Sequence, residues 1–502
     1  MKITPLFYHQ ETSYDRNRMS GHSLDWENQP DVFKTYPGEA PLELPRDVRF
    51  PRTTLSAVLE KNEPDNDIRI QSRKDLSRLL LQTYTLTARA RHPGGDFTYR
   101  SAASAGALYP TEIYMALRGF KDLEDGLYHF SIAHHGLVLL RPGDFSGAVA
   151  EVTGMSHSGL SSLVFFFSAI FFRSAWKYRE RSYRYHLLDT GHVIENLFLA
   201  SRAMDLLLRL SFDFDDREAN QFLGLDDSRE VCLAVAKVAG DDRLAEAQSA
   251  TLPPNLPQEI QQASRVASRE TGYPLIREMH WAGLERVGGT TPGMDMTKEI
   301  GLRPRQWAKI APFAIRPEST HFTEAVFGRR SRRNFVQKAM RADDARVLLQ
   351  LLINTTDSAS SHYGASICTG FISKGVDGIV DGFHLLNTGT EAFGLVSHDV
   401  PMEAMASICL DQLWLANAGI HFLFMTNLQA LDRTWGGRGY RYAMMTAGRM
   451  GERLYLAAES LGLGCCGIGA FYDNEAARSL ALNRDSRLLY LVAVGQVKKK
   501  PS

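Results

Sequence analysis

The chain has 502 residues, with 57 Lys+Arg balanced by 57 Asp+Glu, so its formal net charge is zero. That length allows two to four domains with sizeable cores, and 44% hydrophobic with 23% charged residues is ordinary globular composition. The neutral balance argues against a nucleic-acid binder, which would be basic overall.

In chain order, the first 24 residues are polar and lack the apolar stretch of a signal peptide. The five cysteines (Cys232, Cys368, Cys409, Cys465 and Cys466) are odd in number and show no metal-ligand spacing. That usage suits a reducing cytoplasm rather than a disulfide framework or zinc site. Arg100 to Pro110 reads RSAASAGALYP. Such small residues let backbone lie against a planar ring while Ser104 bonds its edge; on composition alone the stretch is a flexible turn. His134-His135 lacks a partner at ligand spacing and reads as a solvated turn. Leu160 to Phe172 is a thirteen-residue apolar run ending at Arg173. A bilayer needs about twenty residues, so a buried strand or strand–helix junction is expected. Lys177-Tyr178 follows, among Trp176, Arg179 and Arg181. Both side chains can move protons if burial shifts their pKa values, although adjacent Lys-Tyr is also common on surfaces.

The next segment repeats. Tyr183 to Ala200 matches Tyr440 to Ala457, 257 residues on, with identities at Tyr183/Tyr440, Arg184/Arg441, Tyr185/Tyr442, Gly191/Gly448, Glu195/Glu452, Leu197/Leu454, Leu199/Leu456 and Ala200/Ala457. The same offset pairs Phe214 with Phe471 and Asp216 with Asp473. Each copy predicts one long, largely buried helix, followed by a β-like run: Val231 to Ala236 in the first, Leu488 to Val494 in the second. Between the copies, Asp241 to Thr320 carries LPPNLPQE and VGGTTPG and reads as a connector, with local helix at EIQQASRVASRE, rather than a domain. The expected division is a leader at 1–60, an α+β domain at 61–240, a connector at 241–320 and a second α+β domain at 321–502. Two related domains in one chain suggest a fused pseudo-dimer.

Arg329 to Phe335 (RRSRRNF) gathers four guanidiniums around a hydroxyl before a helical stretch at Asp343 to Leu352. Arginine forks with a serine suit a phosphate monoester; a solvated basic loop is the plainer reading. Gly462-Leu-Gly-Cys-Cys-Gly467 matches G-x-G-x-x-G, yet it follows a predicted helix instead of a strand, so it reads as a glycine cap and tight crossover. Its glycines would also let backbone N–H groups approach a flat ligand. The end, GQVKKK at 495–500, puts lysines after a predicted core strand, either a frayed tail or partners for the same phosphate. The chain has no G-x-S-x-G, Walker A, H-E-x-x-H or EF-hand pattern.

Together the Arg-Arg-Ser-x-Arg loop, the Ala-Leu-Tyr-Pro loop, Lys177-Tyr178, the Gly-Leu-Gly helix end and the opening LDWENQP…FKTY (Leu24 to Tyr36) resemble the nitroreductase superfamily, and within it the SagB/ThcOx-type azoline dehydrogenases. The resemblance covers most of the chain outside the connector. It implies two tandem α+β domains, each a mixed or antiparallel sheet flanked by helices, forming an intrachain pseudo-dimer with FMN as cofactor. It also implies that one half supplies the phosphate loop, glycine crossover and terminal basic residues, and the other the Ser-x-Gly loop and substrate side.

The two halves divide in that way. Where the second has Arg329-Arg330-Ser331-x-Arg333, the first has Leu59-Glu-Lys-Asn-Glu-Pro64, and its crossover, Leu206 to Ser211, has no glycine. The first keeps Lys177-Tyr178 where the second has Thr434-Trp435, and only Ser358 to Gly364 lies near the loop position in the second. One working FMN site per chain and one decayed site are therefore expected. By resemblance, the cofactor-binding residues are Arg329, Arg330, Ser331, Arg333, Lys498 and Lys500 at the phosphate, Ile468, Gly469 and Ala470 at the flavin edge, and Ser104, Ala105 and Gly106 at the ring. Lys177 and Tyr178 are the catalytic pair, with Tyr178 as base. Ala103 stands where the family has proline, which loosens that loop. The implied reaction is FMN-dependent oxidation of an azoline, in a modified peptide or a smaller amino-acid-derived metabolite, with oxygen as acceptor. A cyclodehydratase partner and further homodimerisation stay open, and neither nucleic acid nor membrane is expected as a partner. The alternatives are an NAD(P)H-dependent nitroreductase or quinone reductase, and a non-catalytic partner in a peptide-modification complex.

Overall fold

A computed structural model describes residues 3–19, 21–60, 70–92, 95–155, 163–238, 251–287, 294–311, 320–353 and 361–498. The chain divides into two compact units. The first comprises Ser23–Pro51 and Lys61–Gly288; the second comprises Met1–His22, Arg52–Glu60 and Gly289–Ser502. The leader is thus shared out by packing, its ends joining the second unit and its middle the first, and the connector is split between the two.

In the first unit the strands are β1 (Leu42–Glu43), β2 (Leu86–His92), β3 (Gly95–Arg100), β4 (Thr111–Leu117), β5 (Gly126–Ser131), β6 (Gly136–Pro142), β7 (Leu163–Ile170), β8 (Leu208–Ser211) and β9 (Glu230–Val238). In the second they are β10 (Ala308–Lys309), β11 (Cys368–Ser373), β12 (Gly382–Asn387), β13 (Ala392–Ser397), β14 (Ile420–Asn427), β15 (Gly464–Ile468) and β16 (Ser486–Gly495). Each unit builds one seven-stranded sheet, ordered β1-β6-β5-β4-β7-β9-β8 and β10-β13-β12-β11-β14-β16-β15, while β2 and β3 form a separate hairpin. Neighbours pair antiparallel.

The apolar run read as a strand–helix junction is β7 running into the helix Phe171–Tyr178. Its eight residues are all buried, because β7 lies between β4 and β9 with both faces covered, which favours a continuous apolar sequence over an alternating one. In the second unit β14 runs into the helix Leu428–Trp435, again 257 residues on. The duplicated stretches form the long helices Ser182–Ala203 and Arg438–Ser460, buried nearly all round. In the connector, the helix Gln258–Gln262 covers only the beginning of the predicted stretch Glu259 to Glu270, and further helices occupy Pro274–Ala282 and Met296–Glu299.

The duplication also reaches into the leader and connector. The N-terminal helix Pro5–Glu11 packs on the second unit, where His9 Nδ1 lies 3.0 Å from the Tyr440 hydroxyl and Nε2 3.1 Å from Asp473 Oδ1. Tyr14 N–H donates to the other Asp473 oxygen at 2.9 Å. In the first unit the duplicate pair, Tyr183 and Asp216, faces His280 of the connector helix at 3.2 and 3.8 Å. Both docking helices begin Pro-Leu and carry a buried histidine. The connector helix is therefore a second arm, which sequence reading passed over because so few residues repeat.

The FKTY segment of the leader is structural. Lys34 pairs with Glu230 inside the first unit and donates to the Tyr114 hydroxyl at 2.7 Å; Ser168 and Ser264 donate to Glu230 at 2.6 and 2.8 Å. A buried ion pair needs such added hydrogen bonds to offset its desolvation. Nearby, burial works to raise the Glu112 pKa, but Arg173 and His129 outweigh it and hold the carboxyl at about 2. His135 corrects the solvated-turn reading. It does occupy the β5–β6 turn, but it is buried with Nε2 2.7 Å from Ser77 Oγ, and burial lowers its pKa to about 4.

Candidate functional site

In the second unit, the helix Phe322–Gly328 delivers the chain into the arginine loop. Ser331 bridges to Cys465 of β15, and Arg332 N–H donates to the Cys465 carbonyl at 2.8 Å. On the loop's other side, Val336 N–H donates to Gln496 O at 2.9 Å, Lys498 N–H to Asn334 O at 3.2 Å, and Asn334 Nδ2 to Lys498 O at 3.1 Å. The loop is thereby sewn to both the glycine strand and the segment after β16, so three stretches far apart in sequence meet. Lys498 is exposed there; Lys500 lies outside the described residues.

Ser331 is exposed, with Oγ 2.8 Å from the Tyr455 hydroxyl, which also accepts Gly467 N–H at 2.7 Å. Burial raises the Tyr455 phenol well above its usual range, so it stays neutral. Arg330 is half-buried and spends Nη1 on the carbonyls of Phe327 and Arg329. Arg333 is exposed and bonds Cys466, opposing the rise that burial imposes on that thiol. Arg329 turns inward: it is 3% exposed, over the Tyr455 ring at 5.3 Å and 4.0 Å from Glu452. Its place is partly structural, fixing the loop from beneath.

The glycine run is a helix cap followed by an edge strand. Gly462 has φ 68°, its N–H reaches Glu459 O, and Leu463 N–H reaches Ala458 O at 2.7 Å, the paired bonds of a Schellman cap. A Cβ on Gly464 would fall 2.2 Å from Val497 Cγ1, and one on Gly467 1.8 Å from the Tyr490 hydroxyl. These glycines serve close packing of β15, not a dinucleotide fingerprint. Ile468 ends β15, and Gly469 and Ala470 follow, half-buried.

In the first unit, the Ser104 loop is pinned rather than flexible. Ser104 Oγ donates to Asp189 Oδ2 at 2.6 Å, Ala105 N–H lies 3.2 Å from both Asp189 oxygens, and Tyr109 N–H donates back to Ser104 Oγ at 2.9 Å. Gly106, Ala107 and Tyr109 all have positive φ, at 64°, 53° and 49°. Two of these are not glycine, a strained turn that only dense hydrogen bonding sustains. Burial raises Asp189 to about 7, against the pull of Ser104 and Ala105. Since Ser104 donates its proton inward, it can meet a ligand only as an acceptor.

The loop and the Lys-Tyr pair come together. A Cβ on Gly106 would lie 2.7 Å from the Tyr178 hydroxyl, so glycine makes room for that phenol. Tyr178 packs edge-on against Tyr185 at 4.7 Å, and Lys177 Nζ lies 5.5 Å from the Tyr178 ring centroid. Asp189 and Tyr455 were not among the sequence candidates. Their signal was asymmetry: 257 residues away stand Thr446 and Phe198. A carboxyl facing a hydroxyl, or a phenol facing a bare ring, at matching positions of a buried helix marks a place where the copies have different tasks.

The Nitroreductase family profile matches residues 72–240 and 380–496, more than half of the chain. The chain belongs to the nitroreductase family. Both units carry its fold, and at the level of the family the protein is an oxidoreductase. It is 27% identical over 179 residues to MJ1384 of Methanocaldococcus jannaschii, a protein assigned as a nitroreductase, covering 36% of this chain and 80% of that one. It is 30% identical over 138 residues to the trifolitoxin-processing protein TfxB of Rhizobium leguminosarum bv. trifolii, 26% of this chain but only 37% of TfxB. A crystal structure from Anabaena variabilis, also assigned as a nitroreductase, superposes with a TM-score of 0.78 at 26% identity over 99% of this chain and 100% of that chain. No helix among the described residues is long and apolar enough to cross a membrane.

Proposed function

We propose that the protein is an FMN-dependent oxidoreductase of the SagB/ThcOx type, oxidising an azoline or a related amino-acid-derived substrate in the cytoplasm. The observation that carries this reading is the meeting of the Arg329–Arg333 loop, β15 and the segment after β16 in the second unit. An exposed hydroxyl, an exposed guanidinium and an exposed lysine on adjoining backbone make a donor set suited to a phosphate monoester. These residues fit FMN. Ser331, Arg330, Arg333 and Lys498 would hold its phosphate, with Arg329 and Tyr455 supporting the loop. Backbone at Ile468, Gly469 and Ala470 would face the flavin edge. The small-residue loop at Ser104, Ala105 and Gly106, kept only in the first unit, is proposed as a ring-binding loop on the family resemblance.

Bound FMN would supply the hydride acceptor, with oxygen restoring it. Tyr178, in the phenolate form that the Lys177 ammonium would favour, would take the substrate's ring-carbon proton at its oxygen and become the neutral phenol. Glycine at 106 is what lets that oxygen sit against the Ser104 loop. The similarity to a trifolitoxin-processing protein supports a substrate of the toxin-precursor kind, and a cyclodehydratase is the partner that would supply an azoline.

Flavin titration should give one FMN per chain; two would overturn the single-site reading. Tyr178→Phe and Lys177→Ala should abolish turnover of an azoline peptide while the protein stays yellow, and loss of flavin would show the pair to be misassigned. Flavin bleaching by NADPH, with none by an azoline, would favour a reductase instead.

A further inference from the structure

We propose that Arg179 is a specificity-determining residue that recognises a free carboxylate on the substrate, with the Tyr273 hydroxyl as a second donor. The proposal rests on the azoline reading above and deepens it: the ring to be oxidised carries an ionised carboxyl group. Arg179 directly follows Tyr178 and is exposed. Among the described residues its guanidinium makes no hydrogen bond or ion pair. Its backbone stands at φ 50° and ψ −138°, a conformation that suits glycine. The second unit, which lacks the Lys-Tyr pair, has Gly436 there at φ 56° and ψ −151°. The first unit keeps an arginine at the same turn despite the strain, and strain held beside a reacting group points to function.

The connector supplies the second donor. Its helix Pro274–Ala282 packs against the Arg179–Arg181 turn. Tyr273, half-buried just before that helix, lies close enough to Arg179 for the cation to act on its phenol. Burial raises that phenol's pKa against the pull of Arg179, and Glu180 adds to the rise, so the hydroxyl keeps its proton and can donate. Tyr273 also lines a hollow of about 140 Å³ with Phe171, Phe172 and Ala175 of the helix that ends at Tyr178. That is room for a small group rather than a cofactor. The spacing of Phe171, Ala175 and Tyr178 puts all three on one helical stripe. The acidic group among the described lining residues, Glu270, is engaged by Arg229 at 2.9 Å and by Val266 N–H at 2.7 Å. In an azoline made from an amino acid, the ring carbon that gives up its proton also bears the carboxyl group, so the recognising cation has to stand near the base. Where that group is a free carboxylate, proton loss builds a second negative charge beside the first, and a guanidinium opposes that cost. An internal azoline of a peptide has an amide there and offers the guanidinium no charge. The chemistry selects a terminal azoline acid, either a small molecule or the last residue of a peptide.

The test has a binding arm and a turnover arm, both on the full chain loaded with FMN. In the first, calorimetric titration compares 2-methylthiazole-4-carboxylate, the oxidised form of a small azoline acid, with its neutral amide, and a short peptide ending in the same thiazole acid with its amide. The acid of one pair or both should bind about tenfold tighter than its amide, and the pair that shows the preference identifies the source. Arg179→Gly should remove the preference while raising the melting temperature, a combination that a merely structural role would not give, and Arg179→Lys should keep part of it. Tyr273→Phe should weaken the acids and leave the amides unchanged. Equal binding of acid and amide in both pairs, a preference that survives Arg179→Gly, or a lower melting temperature for that variant would each overturn the assignment. In the turnover arm the corresponding azoline acids and amides are offered as reductants of the flavin. Reduction by the amides as readily as by the acids overturns the role of Arg179 alone; reduction by none of the four overturns the azoline reading and the proposal with it.

Discussion

Asp189 shows how one side chain can set a loop. Its carboxyl is buried at the base of the Ser104 turn, and its pKa stands at about 7 against an ordinary 3.8. The folded protein therefore keeps a proton that the unfolded chain releases. Stability from this group is complete below about pH 4 and is lost as pH rises through 7. At about 1.4 kcal/mol per pKa unit, the loss reaches about 4 kcal/mol. Asp189→Asn should flatten the fall in melting temperature between pH 4 and 8; an unchanged slope would show that the carboxyl is solvated. Arg179, directly after Tyr178, has φ 50° and ψ −138°, and the second unit puts Gly436, φ 56°, at the duplicate position. Arg179→Gly should stabilise the fold by about 1 kcal/mol through relief of backbone strain, readable as a higher denaturation midpoint.

The arms and the glycine strand behave as elements held by a few decisive contacts. Asp473→Ala would strand both His9 Nε2 and the Tyr14 N–H in the interior, costing about 3 kcal/mol. It should expose residues 1–22 to proteolysis before the rest of the second unit. Asp216→Ala should cost less, since His280 Nε2 stands 3.8 Å away rather than 3.1 Å; equal effects would contradict the geometry. Gly467→Ala should displace β15 from β16, because its Cβ would overlap the Tyr490 hydroxyl. The expected readout is weakened FMN retention along with a lower melting temperature.

Across the whole molecule, two copies of one fold have kept complementary residues: an arginine loop and glycine strand in one, a pinned serine loop and Lys-Tyr pair in the other. A flavin count of one per chain is the prediction at this scale. The sequence by itself determined the duplication, because buried helices and strands constrain apolar residues at fixed spacing, and the 257-residue offset carries through β7, β14 and the helices after them. It also marked the Arg329 loop, the glycine run and Lys177-Tyr178, which single themselves out only when taken together with the Ala-Leu-Tyr-Pro loop. Only the tertiary structure decided that Ser331, Cys465 and Lys498 belong to one small region, and that Asp189 locks Ser104. It alone revealed the connector helix as a second arm matching the N-terminal one. Those relations rest on a few hydrogen bonds each, between residues tens to hundreds of positions apart, and such isolated donors and acceptors leave no periodic trace in a sequence.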